Sequence, residues 1–139
     1  MSDPYDLERF VDAQDGVYEV ALSKLRRGRK TGHWMWFVFP QIEGVGYSPM
    51  AQQYAISGLD EARGYVAHPV LGPRLVECAR VVAGTTGRTA HEIFGSPDDL
   101  KLRSSMTLFA RAAPDRAEFQ HVLDRYFDGE LDERTLERL

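Results

Sequence analysis

Six consecutive residues, Trp34-Met35-Trp36-Phe37-Val38-Phe39, hold both tryptophans and two of the seven phenylalanines of this chain. No other stretch restricts the fold so strongly. Aromatic side chains bury roughly 150–250 Å² each, so this segment belongs at the centre of whatever core forms. Its composition is β-prone, but it does not alternate strictly and Pro40 ends it. A buried helix of one or two turns, capped from Thr31, fits residues 33–39 equally well. The helix is favoured because nothing else in the chain reads as a strand partner. Polar groups flank the block: Lys30 and His33 before it, Gln41 and Glu43 after it. A site, if the chain has one, is expected here.

The length of 139 residues suits a single domain over 1–139, burying about two thirds of its unfolded surface. A hydrophobic share of 43% against 27% charged residues is that of an ordinary globular protein rather than a disordered one. The formal charge of −4 argues against a nucleic-acid polymer as partner, which needs excess clustered Lys and Arg. One cysteine, Cys78, forms no internal disulfide, and no signal-like or membrane-length apolar run occurs. The expectation is therefore a cytoplasmic protein without a membrane partner.

The remaining chain reads as helices. Leu7, Phe10, Val11, Gln14, Val17, Tyr18, Ala21, Leu22 and Leu25 recur every three or four residues. Asp15-Gly16 interrupts that stripe with a kink or a second helix capped by Asp15, and Gly28 ends it. Ser48-Pro49 starts a helix carried by Tyr54, Ala55 and Ile56. Ser57 with Asp60 and Glu61 starts another, which runs to His68. Pro69 opens a longer one closed by Gly84. Thr89 and Glu92 make a capping box. Ser96-Pro97-Asp98-Asp99, the strongest start signal, launches a helix to about Ala112. Further helices are expected over Pro114 to Phe127 and from Asp132 to the end, with residues 1–5 a loose lead-in. The fold class is all-α: one compact bundle of about six to eight short helices with short loops.

Several groupings carry chemical potential. On the Ser96 helix, Lys101, Ser104, Ser105 and Leu108 share a face. An ammonium with two hydroxyls holds a phosphate or ribose; the plainer alternative has the serines bonding their own helix carbonyls and the lysine solvated. His33 is placed to act as a general acid or base, and Trp34 or Trp36 to stack a planar base. Ordinary core aromatics and a core-edge histidine are the competing explanation. The basic run Arg26, Arg27, Arg29 and Lys30 recognises an anion or is simply a solvated helix end. The four histidines are too dispersed for a metal site, and Cys78 reads as a small core residue. No cofactor is implied, and neither familiar glycine-rich nucleotide loop is present.

Leu7-Glu8-Arg9-Phe10-Val11-Asp12-Ala13-Gln14 and Gly32-His33-Trp34-Met35-Trp36-Phe37-Val38-Phe39-Pro40-Gln41 together resemble the bacterial family of domain of unknown function 1810. The likeness continues through Tyr54-Ala55-Ile56, His68-Pro69-Val70-Leu71-Gly72 and Ser104-Ser105-Met106-Thr107-Leu108-Phe109, covering nearly the whole chain. It implies a mostly helical protein of about this length, with no activity attached. Members often carry the label calpastatin, which this composition rejects: an inhibitor of that type is disordered and aromatic-poor. In helix order and in its lysine-then-aromatic opening, the chain is also similar to a helical family linked to NAD and ADP-ribose metabolism. Some members of that family cleave N-glycosidic bonds; no catalytic residue of it is matched here.

Two functions compete. In the first, a cleft between the aromatic block and the Ser96 helix binds or hydrolyses a phosphorylated nucleoside such as ADP-ribose. Lys30, Arg74 and Lys101 hold its charge, Trp34 or Trp36 stacks the base, Gln41, Ser104 and Ser105 bond the sugar, and His33 or Glu43 moves a proton. In the second, the chain is a non-catalytic helical interaction module, monomeric or homodimeric, that contacts protein through Tyr47, Met50 and the glycine-rich loop. Convergence of Lys30, His33 and Lys101 on one hollow separates the two.

Overall fold

The computed structural model describes residues 3–139. Among them are ten helices: α1 (Glu8–Gln14), α2 (Tyr18–Arg26), α3 (Met35–Val38), α4 (Pro49–Gln53), α5 (Leu59–Ala67), α6 (Leu71–Gly84), α7 (Ala90–Phe94), α8 (Asp98–Ala112), α9 (Ala117–Phe127) and α10 (Glu133–Leu136). Six reach seven residues or more. The protein is all-α; among the described residues the one extended pairing is an isolated parallel bridge between Ile42 and Ile56.

α8 is the centre. It packs on α9, α5, α7 and α10, while α6 lies across α9, α5 and α2. Leu102, Met106, Leu108 and Phe109 are fully buried, so this helix is apolar over more than one stripe, as a helix surrounded by others must be. Edge-to-face and tilted aromatic contacts run through the core from Phe10 to Tyr65 (5.1 Å), Tyr65 to Phe109 (5.3 Å) and Phe109 to Phe119 (5.7 Å). One run of rings thereby ties α1, α5, α8 and α9 together.

Buried polar groups reinforce the α1–α5 contact and tie α1 to α3 and α6 as well. The Gln14 amide donates to the Phe37 carbonyl (2.7 Å) and to Tyr65 Oη (3.1 Å), and its oxygen accepts from Arg74 Nη1 (3.2 Å). Glu61, also buried, accepts from Arg9 Nη2 at 2.8 Å and from the Ser57 N–H and hydroxyl. Each such carboxylate or amide is tolerated because its bonding capacity is met.

Local signals succeed where side chains make the bond. Ser48 Oγ accepts from the Ala51 N–H, Asp132 Oδ2 from the Thr135 N–H, and Thr89 with Glu92 forms a complete capping box. Gly28 ends α2 at φ +74°, a conformation glycine takes without penalty. Other expectations need correction. Asp15 does not cap α2, whose first turn follows Val17 without a side-chain cap. Thr31 does not cap α3: the cap position is Trp34, and the Thr31 carbonyl instead accepts from the Trp34 indole. Tyr54 to Ile56 lie outside α4, because the Ile56 N–H and carbonyl bond residues 41 and 43. The lead-in at residues 1–5 falls partly outside the described residues. Within it, Asp3 accepts from the Leu7 and Glu8 N–H groups and so caps α1 rather than hanging loose. Those two bonds hold its carboxyl below the usual range.

Candidate functional site

α3 is a single turn, so consecutive aromatics point in different directions. Trp34 goes inward, 3% exposed, with its indole N–H on the Thr31 carbonyl at 2.8 Å. Trp36 stays half-buried on the outer side and faces the first turns of α8. There Lys101 lays its ammonium 4.7 Å from the Trp36 ring centroid, within cation–π range. Two hollows meet at Trp36, Pro97 and Lys101. The larger, about 450 Å³, continues to Gln41, Ser104, Arg103 and Arg134. The smaller, about 290 Å³, continues to Lys30 and His33. Together they are of the size of small-molecule sites.

Asp98 controls the charge of this place. Its Oδ2 is 2.7 Å from Lys30 Nζ and its Oδ1 is 3.3 Å from Lys101 Nζ. Lys30 is thereby locked: its side chain is 5% exposed, it also donates to the Gly32 carbonyl at 2.6 Å, and it lies 4.9 Å from the Trp34 ring centroid. Lys101 is the freer cation, joined by Arg103 and Arg134. Arg103 is held by the Glu130 and Leu131 carbonyls, and Arg134 by the Val45 carbonyl. Asp132 lines the larger hollow but is spent on the α10 cap, where it accepts from the Thr135 N–H and hydroxyl. Trp36 Nε1 is buried with no partner among the described residues, which leaves one donor at the floor unmet.

The structure brings Lys30, His33, Trp36, Gln41, Lys101 and Ser104 to these two hollows. It does not bring the others. Trp34 is core, with its ring under Lys30. Ser105 is 0% exposed and its hydroxyl has no partner among the described residues; one position beyond Ser104, the helix has rotated it into the core. Ser104 itself is tied to the Thr135 hydroxyl at 2.8 Å. Glu43 is exposed and lines neither hollow, because its N–H is drawn to the Ile56 carbonyl. Arg74 stands in a separate hollow with Tyr18 and Glu77; its guanidinium covers the Tyr18 ring at 4.8 Å and reaches Gln14. Tyr47 is 74% exposed at the rim of the larger hollow, whereas Met50 packs partly against the core.

Sequence reasoning missed Asp98, Arg103 and Arg134. Asp98 was legible: it is three residues before Lys101 at the start of one helix, the spacing of a side-chain pair. Arg134 was not, since its partner Val45 is 89 residues away. Among the described residues no group of three His, Cys, Asp or Glu gathers as a metal ion would require, and no helix is long and apolar enough to cross a membrane.

Comparison with known proteins agrees with this architecture. The solved structure of the conserved hypothetical protein Rv1873 from Mycobacterium tuberculosis is 55% identical in sequence, with a TM-score of 0.97, over 99% of this chain and 98% of that one. No curated protein matches the chain. A family model described as "Protein of unknown function (DUF1810)" matches residues 4–139. With nearly its whole length inside that model, the chain belongs to the DUF1810 family.

Proposed function

We propose that this protein binds a phosphorylated nucleoside of the ADP-ribose kind, as a single domain, in the joined hollows around Trp36. The observation that carries the reading is the shared floor: one half-buried indole with a lysine against its face, open on both sides to cavities lined by hydrogen-bonding groups. A base stacks on the indole. Lys101 and Arg134 take the phosphates by charge-assisted bonds, and Gln41 meets ribose hydroxyls. Lys30 contributes through Asp98, holding that carboxylate so that Lys101 is only partly neutralised.

Binding fits the geometry better than hydrolysis. N-glycoside cleavage calls for a positioned acid and an activated water. His33 is exposed at one end of the smaller hollow and Glu43 lies outside both, so of the two alternatives for moving a proton only His33 is near the site.

The test is titration of the purified protein with ADP-ribose, AMP and ribose 5-phosphate, read by tryptophan fluorescence and thermal unfolding. A ligand present at a hundredfold its Kd should add about 2.7 kcal/mol of stability. Lys101→Ala and Trp36→Leu should abolish the response. No fluorescence or melting change with any of the three at millimolar concentration sinks the reading. Release of free base from ADP-ribose, lost in His33→Ala, would restore hydrolysis.

A further inference from the structure

The charge of the molecule is unevenly spread. Behind the α5–α6 corner lies a hollow of about 660 Å³ that includes Arg74, Arg80 and Arg116. Beside it, and sharing Arg80, is one of about 440 Å³ that includes Arg26, Arg27 and Arg88. Six arginines thus face one lining carboxylate, Glu77, and a second, Glu118, which accepts from Arg80 at 3.2 Å from outside the hollows. In a chain of formal charge −4, a face of +4 leaves −8 for everything else. Glu77 is itself engaged, accepting from Tyr18 Oη at 2.5 Å and standing 3.7 Å from Arg26.

Helix-end electrostatics explain only part of this. Arg26 and Arg27 sit at the C-terminal end of α2, where cations are favoured. Arg74 and Arg116 sit at the opposite kind of position, in the first turn of α6 and at the cap of α9. The helix field disfavours cations there; Arg74 is held in place by Gln14 and the Tyr18 ring, whereas helix-end electrostatics do not account for Arg116. All six are arginines, whose planar fork pairs two-to-two with carboxylates and phosphates.

We propose that this face docks a short acidic segment of a partner protein, carboxylates on the arginines and one apolar side chain against the wall of Val66, Pro69, Pro73 and Val76. The wall is part of the larger hollow and has no role for a purely ionic ligand. A nucleic acid fits less well. Tyr18 is buried beneath the Arg74 guanidinium, so the face offers no aromatic platform for a base, and a long polyanion would run off it onto the −8 remainder. The inference is independent of the Trp36 hollow.

Fluorescence anisotropy of a labelled peptide of glutamate and aspartate with one central leucine tests it, on the full chain at low and physiological salt. The expected result is saturable binding that weakens about tenfold between the two salt conditions, since exposed charge pairs are screened. Replacing the leucine by glutamate should also weaken it. Arg80→Glu with Arg88→Glu should reduce affinity at least about tenfold at an unchanged melting temperature, and Trp36→Leu should leave it alone. If the charge reversals perturb melting, Arg80→Gln with Arg88→Gln carries the same expectation. No binding at millimolar peptide, binding indifferent to the arginines, or tighter binding of a short DNA duplex overturns the proposal.

Discussion

The Trp36 hollow and the arginine face both contain cations beside an aromatic ring, yet they are built on opposite principles. In the hollow, Asp98 is set between two lysines and Asp132 is spent on a cap, and what remains is a modestly cationic, half-apolar place suited to an anionic ligand with a ring. On the arginine face, two carboxylates, Glu77 and Glu118, stand among six guanidiniums and the ring is covered. There the surface presents charge beside a small apolar wall, with no open ring. Residue type alone does not separate the two: the difference is where the counter-charge falls, and that is a property of packing.

Substitutions that break one region and spare the other test this contrast. The largest effect is expected at Gly72, where α6 starts against the end of α5. A methyl group there would stand 2.0 Å from the Val66 carbonyl oxygen, and backbone cannot yield as a side-chain tip can. Gly72→Ala should lose about 3 kcal/mol or more, or fail to fold. Urea unfolding and circular dichroism would show it, and a wild-type curve would mean that the corner is not rigid. Next is Asp98→Ala, which strands the buried Lys30 ammonium. About 3 kcal/mol should be lost, while Asp98→Asn should lose less and tighten anion binding in the hollow. Unchanged nucleotide affinity in Asp98→Asn would count against charge balance as the controlling feature.

A pH experiment reaches the core beneath the arginine face. Burial pushes the Cys78 thiol up to about 12 from its ordinary 9.0. The folded state therefore holds this proton more tightly than the unfolded one. Its contribution to stability is complete below about pH 9 and is lost as pH rises from there towards 12. Unfolding curves taken across that range should fall less steeply in Cys78→Ala. The same burial predicts that a thiol reagent labels wild type at neutral pH only as fast as the protein opens. The smallest effect is expected at Thr89→Ala, which removes the α7 capping box and should cost about 1 kcal/mol. Because the Ile93 carbonyl accepts from the Lys30 N–H at 2.6 Å, a measurable fall in ligand affinity should accompany it if α7 supports the hollow.

Much of the fold was readable because helices are local. Spacing gave the α1–α2 stripe, including Gln14, which turned out to be the buried amide joining α1 to Phe37, Tyr65 and Arg74. Caps at Ser48, Thr89 and Asp132 were readable because donor and acceptor lie three residues apart. The candidate site was readable only in outline. Lys101 and Ser104 meet the aromatic block, but the same helical face that suggested Ser105 as a sugar contact turns it inward. Arg74 was grouped with Lys30 and Lys101 by charge alone, and it faces a different cavity.

By itself, the sequence determined an all-α chain, the burial of its aromatic block and most helix boundaries. These follow from interactions within a few residues, whose geometry the backbone supplies in advance. Only tertiary structure decided which tryptophan remained accessible, which lysine was neutralised and which arginines came to share a face. Those outcomes depend on contacts between residues tens of positions apart, such as Lys30 with Asp98 and Val45 with Arg134. Distance along the chain carries no information about distance in space once helices pack on one another.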